Sequence, residues 1–96
     1  MNHEKILRRD DGSRVKIKVW FFEYRGKLDW RFQTFVCQKG KRTWTSPVNR
    51  DDYAWRKLNQ EDRKTENIRR SLTLASPEEV HEALLEAWEL LKPEKP

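Results

Sequence analysis

From Arg14 to Cys37 the chain alternates as only a pair of β-strands can, and everything else has to be arranged around that stretch. Val15, Ile17, Val19 and Phe21 fall at every second position, with Lys16, Lys18, Trp20, Phe22 and Tyr24 between and after them. Successive strand side chains point to opposite sides, so these two sets occupy two faces. Arg25-Gly26-Lys27 has turn composition, and Leu28 to Cys37 then alternates again. A long hairpin follows. Its first face is apolar and must lie on a core. Its second face is cationic and aromatic together, and it holds most of the functional information in the chain.

Around this hairpin the pattern predicts a meander. Asp10-Asp11-Gly12-Ser13 is a turn signal that pairs an edge strand near Glu4–Arg9 with the start of the hairpin. Gln38-Lys39-Gly40-Lys41 gives a third turn, leading into a short fourth strand, Arg42-Thr43-Trp44-Thr45, stopped by Ser46-Pro47. All three glycines thereby sit in turns, where positive φ is needed. Leu72-Thr73-Leu74 suggests a fifth strand. Asp51 or Asp52 caps a helical start through Tyr53, Trp55 and Leu58, whose side chains are expected to dock back on the sheet. Asn59 to Asn67 is polar throughout and reads as an exposed helix turn or a loop.

The clearest local signal is Ser76-Pro77-Glu78-Glu79. Ser is a good N-cap, Pro suits the first helical position, and Glu79 completes a capping box. The helix that follows places Val80, Ala83, Leu84, Ala87, Trp88 and Leu91 on one stripe, with Glu78, Glu82, Glu86 and Glu89 on the outer side. Pro93 ends it, and residues 94–96 are expected to fray. The fold class is therefore α+β: an antiparallel four- to five-stranded β-meander packed against a C-terminal α-helix, with a second short helix or loop at about 51–66. One domain of 96 residues spans the chain, with a sheet over 4–46, a connecting segment over 47–75 and the helix over 77–92.

Charge is distributed unevenly. Residues 1–50 hold thirteen Lys/Arg against five Asp/Glu, residues 51–75 six against five, and residues 76–96 two against six. A basic sheet and an acidic helix share a net charge of +5, and a basic sheet suits a polyanionic partner. Hydrophobic content is only 35%, so the eleven aromatics have to be used well, or a homodimer has to supply buried area. The single cysteine, Cys37, excludes an internal disulfide and fits a reducing, cytoplasmic setting. No apolar run reaches membrane-spanning length.

Aromatic rings on an open sheet can stack nucleobases while neighbouring Lys and Arg hold phosphates. Lys16, Lys18, Trp20 and Phe22 have that composition on one strand. Across the hairpin either Arg31 and Phe35 or Trp30 and Phe32 join them, because a one-residue slip exchanges the faces. The competing arrangement has residues 49–70, or a second protomer, bury these rings as a second core. Lys39, Lys41 and Arg42 form a basic turn cluster able to meet phosphates or an acidic protein surface. Catalysis has no comparable support. His3 is terminal, His81 lies among glutamates, and no nucleophile, phosphate-loop or metal-binding pattern is present. No catalytic residue, cofactor or metal is expected.

The basic meander over roughly 14–46 and the Pro-Glu-Glu helix over 76–92 are similar in layout to two groups of proteins. One is the sheet-based single-strand-binding transcription coactivators, and the other is the three-stranded, helix-backed DNA readers at the ends of phage integrases. The similarity is one of layout, and no functional residue is carried over from either. The expectation is a non-catalytic protein that binds DNA or RNA through Lys16, Lys18, Trp20, Phe22, Arg31, Lys39, Lys41 and Arg42. The alternative is a small protein–protein interaction module, of phage accessory or inhibitor type, that docks a basic face or a strand edge on an acidic partner.

Overall fold

A computed structural model describes residues 2–91. Strands β1 (Asn2–Arg8), β2 (Arg14–Tyr24) and β3 (Lys27–Cys37) form one antiparallel sheet in the order β1-β2-β3. Helices α1 (Tyr53–Arg56), α2 (Gln60–Ser71) and α3 (Pro77–Leu91) follow. The α+β class stands, with three strands rather than four or five.

The strand surplus has physical causes. The expected fourth strand shrinks to one pair, Thr45 with Val36, joined by two backbone hydrogen bonds of 2.9 Å. Pro47 lies two residues further on and cannot donate to a ladder. Leu72-Thr73-Leu74 is not a strand but a turn closing α2, with Thr73 N donating to Arg70 O at 3.1 Å. Leu72 and Leu74 still pack against the core. Tyr53 does not dock on the sheet; it is 69% exposed. Trp55 lies beneath the Arg70 guanidinium, 5.6 Å from its ring centre.

The polar stretch from Asn59 is helix, and local chemistry explains why. Asn59 caps it, its side chain accepting from Asp62 N at 2.8 Å. Glu61 and Asp62 occupy the positive end of the helix dipole, and Arg69 and Arg70 the negative end. Glu66 accepts from both arginines, one of them Arg70 Nε at 2.9 Å. These contacts hold Glu66 well below the usual carboxylate range, at about 2, with Arg69 the leading cause. An exposed helix laced with pairs needs no broad apolar face.

The core is built from small residues. Val15, Ile17 and Val19 of β2 meet Val80, Ala83 and Ala87 of α3, and Ala75 closes one end. Ala83 and Ala87 are fully buried, which lets the helix lie close on the sheet. Phe21 meets Trp88 edge to face at 5.6 Å. None of the eleven aromatics is fully buried: Tyr24, Trp30 and Tyr53 are exposed and the others half-buried. Phe21 and Phe32 pack against the core, while Trp20, Phe22, Tyr24 and Phe35 lie on the outer face.

The β2–β3 hairpin turns at Arg25-Gly26, both with positive φ, 51° and 76°. That is the signature of the two-residue type I′ turn, whose twist matches the strands. Residues 23–31 around this turn are all exposed, so the hairpin tip extends past the helix layer. The radius of gyration, 14.8 Å, exceeds the roughly 12.5 Å of a compact chain of this length.

Beside the packing of Leu7 on the core, charge pairs tie β1 and the residue after it to α3. Arg9 donates to both carboxylate oxygens of Glu79, at 2.6 and 2.8 Å, and to Leu74 O at 2.9 Å. Lys5 donates to Glu86 at 2.6 Å, with Glu82 at 3.7 Å. Glu82 and Glu86 are exposed, as expected, and reach Lys5 from the edge of the helix nearest β1. Ser76 and Glu79 form the anticipated capping box, Ser76 N donating to the Glu79 carboxylate at 2.9 Å and Glu79 N to Ser76 Oγ at 3.1 Å. The expected frayed tail lies outside the described residues.

Candidate nucleic-acid interface

Strand register decides the composition of the outer face. Trp20 pairs with Arg31, Lys18 with Gln33 and Lys16 with Phe35, and paired residues of antiparallel strands share a face. Arg31 and Phe35, not Trp30 and Phe32, therefore join Lys16, Lys18, Trp20, Phe22 and Tyr24. On β1 the same face carries Asn2, Glu4, Ile6 and Arg8. Six basic residues lie on it (Arg8, Arg14, Lys16, Lys18, Lys27 and Arg31), against two acidic ones, Glu4 and Asp29. The acidic α3 packs on the other side of the sheet, so the basic face and the acidic helix lie on opposite sides.

α2 and α3 both pack on the opposite side of the sheet. α3 packs on β1 and β2 through the core. α2 is anchored through Ser71, whose carbonyl accepts from the buried Thr34 hydroxyl at 2.9 Å. Thr34 pairs with Ile17 and so belongs to the core side. The connecting segment does not bring this anchor onto the outer aromatics.

Much of the outer face is organised as cations over rings. Lys16 Nζ stands 4.6 Å from the Trp44 ring centre and 5.6 Å from that of Phe35. Arg14 covers Trp44 at 5.4 Å, Arg31 covers Phe22 at 4.9 Å, and Arg25 covers Tyr24 at 5.3 Å. Such contacts contribute about 0.5–1 kcal/mol each where exposed. They keep long cationic side chains extended along the sheet and spread alternate charge and π surface over it. Guanidinium planes and rings of this kind offer stacking surfaces to bases, and their charges offer phosphate contacts.

The eight residues singled out from sequence separate into three places. Lys18, Trp20, Phe22 and Arg31 lie together in the middle of the open face. Lys16 shares that face, but its side chain is only 18% exposed, held between the Trp44 and Phe35 rings and 3.9 Å from Glu4. Lys39, Lys41 and Arg42 lie at the far end, where their turn packs on the first turn. Cys37 Sγ donates to Lys41 O at 3.0 Å there, and a methyl group on Gly12 would meet Lys39 Cδ at 2.8 Å. Arg8 and Arg14, paired at the same end of the sheet, extend that basic cluster. From Arg14 to Tyr24 the track runs about 33 Å at the usual strand rise.

Sequence reasoning missed three members of the face. Trp44 crosses to it because Thr45 pairs with Val36, a core-side residue, and its neighbour must point the other way. Gln33 shares the parity of Arg31 and Phe35, so it was available once the register was known. Asn2 joins through its pairing with Trp20, as β1 begins two residues earlier than Glu4. Among the described residues no helix is long and apolar enough to cross a membrane. No protein-family model, curated protein or solved structure matches the chain.

Proposed function

We propose that this protein binds nucleic acid, without catalysis, through the open face of its sheet and the basic turns at one end of it. One observation carries the reading: a continuous sheet face with six basic and two acidic residues bears half-exposed rings and lies opposite the acidic helix. A charge separation of this kind orients the protein towards a polyanion before contact and repels the wrong face. Rings outside the core and cations held beside them supply stacking and phosphate contacts together.

The test is fluorescence anisotropy of labelled single-stranded and duplex oligonucleotides over a range of salt. Engagement of about four to six phosphates gives a slope of log affinity against log salt near −3 to −4 on single strands. Absence of binding at low salt refutes the proposal. The second reading, a protein partner with an acidic surface, draws support from the unpaired outer edge of β1, where Ile6 is 51% exposed. An exposed strand edge accepts an added strand. That reading predicts no oligonucleotide binding.

A further inference from the structure

Within the open face, one group of side chains differs from its surroundings. Lys18, Trp20 and Gln33, with Asn2 at the border, line a single shallow depression. It spans all three strands, since Asn2 pairs with Trp20, and Lys18 pairs with both Glu4 and Gln33. Elsewhere on the face the rings are already covered: Phe35 and Trp44 by Lys16, Phe22 by Arg31, Tyr24 by Arg25. Among the described residues, Trp20 has no such cation, Lys18 no ion partner, and the Gln33 side-chain amide no hydrogen bond. All three are half-buried. Their polar atoms still reach solvent and can exchange water for a ligand. The depression thus offers polar groups not engaged within the protein and one uncovered π surface beside them.

We propose that Lys18, Trp20 and Gln33 form a subsite for one unpaired base of a single-stranded nucleic acid. This rests on the nucleic-acid reading of the same face and names the form of nucleic acid it takes. The Trp20 indole is the stacking surface for the base. The Gln33 amide, one donor group and one acceptor side by side, matches the paired donor and acceptor on a base edge. Lys18, two residues along the same strand and about 6.8 Å away, meets the adjoining phosphate as a point charge. Bases in a duplex have their flat faces covered by their neighbours, so such a site selects unpaired ones.

The experiment measures anisotropy with homo-oligonucleotides of each base and with a duplex of equal length, for the parent protein and for Trp20→Leu, Trp20→Phe, Lys18→Gln and Gln33→Leu. Circular dichroism checks that each variant folds. Trp20→Leu is expected to weaken single-strand binding about fivefold to a hundredfold, and duplex binding less than twofold. Trp20→Phe keeps a ring and recovers most of the loss. Lys18→Gln makes the salt slope on single strands shallower by about 0.7. Gln33→Leu leaves that slope alone and narrows the spread of affinities among the four bases. If Trp20→Leu binds single strands as the parent does, while salt-dependent binding persists, the subsite is overturned and the basic-face reading stands. If the parent binds no oligonucleotide, both fall. Should Trp20→Leu fail to fold, Gln33→Leu and Lys18→Gln decide: an unchanged spread among the bases in the first, with an unchanged single-strand salt slope in the second, overturns the subsite.

Discussion

Replacing Glu79 by Gln removes a charge while keeping the shape that caps α3, and the structure says what that costs. Glu79 receives two hydrogen bonds from Arg9 and one from Ser76 N. The Arg9 guanidinium foremost, then the Ser76 amide, hold its carboxyl at about 2, against an ordinary value of 4.5. Taken at face value that difference is worth about 3.4 kcal/mol. Both side chains are roughly 30% exposed, 31% for Arg9 and 28% for Glu79, and solvent screening reduces the figure to about 1–2 kcal/mol. Glu79→Gln should therefore lower the melting temperature by about 4–16 °C at pH 7. The pH dependence follows from the sign. A depressed carboxyl stabilises the fold fully above its unfolded value, near 4.5, and loses that contribution as pH falls towards 2. Urea denaturation of parent and variant at pH 7 and at stepwise lower pH reads the gap between them, which should close on acidification. A gap that stays constant down to pH 3, or one below about 0.3 kcal/mol at pH 7, refutes the assignment.

Two further substitutions test the scaffold that presents the open face. Ile17→Ala empties a fully buried position between the sheet and α3 and should cost about 2–5 kcal/mol by urea denaturation, a large share of the stability of a small domain. Gly26→Ala places a side chain at φ 76°, with open space around it. Its cost of about 1–2 kcal/mol is purely conformational, and Gly26→Asn should cost less, because Asn tolerates the left-handed region.

Elements with strong local rules were legible in the sequence. The alternation of β2 and β3, the Gly-containing turns and the Ser76–Glu79 capping box are each determined within a few residues, and each forms as expected. What failed depended on distant partners. Whether Thr45 starts a strand turns on how much of the β3 edge the chain can follow before Pro47, which no local pattern reports. The polar segment from Asn59, open between a helix turn and a loop, is a case apart: it is helical through local contacts, Asn59 capping its first turn and Glu66 pairing with Arg69 and Arg70, a summed effect that an apolar-stripe search overlooks. Glu82 and Glu86 are exposed as expected, but their pairing with Lys5 needs the core-side parity of Lys5 on β1, which only the register supplies. The candidate site was half legible: the β2 contribution follows from alternation alone. Arg31, Gln33 and Phe35 became definite only with the register, and Trp44 only with its single bridge to β3.

On the proposed function the open sheet face, not the helix or the hairpin tip alone, is the nucleic-acid surface. An amide-correlation NMR titration with an unlabelled single-stranded oligonucleotide at low salt tests it most directly. Signals of Lys16, Lys18, Trp20, Phe22, Arg31 and Gln33, including the Trp20 indole N–H, should shift progressively, with Glu82, Glu86 and the other outer residues of α3 unmoved. Shifts concentrated on α3, or a spectrum that does not change, would contradict it.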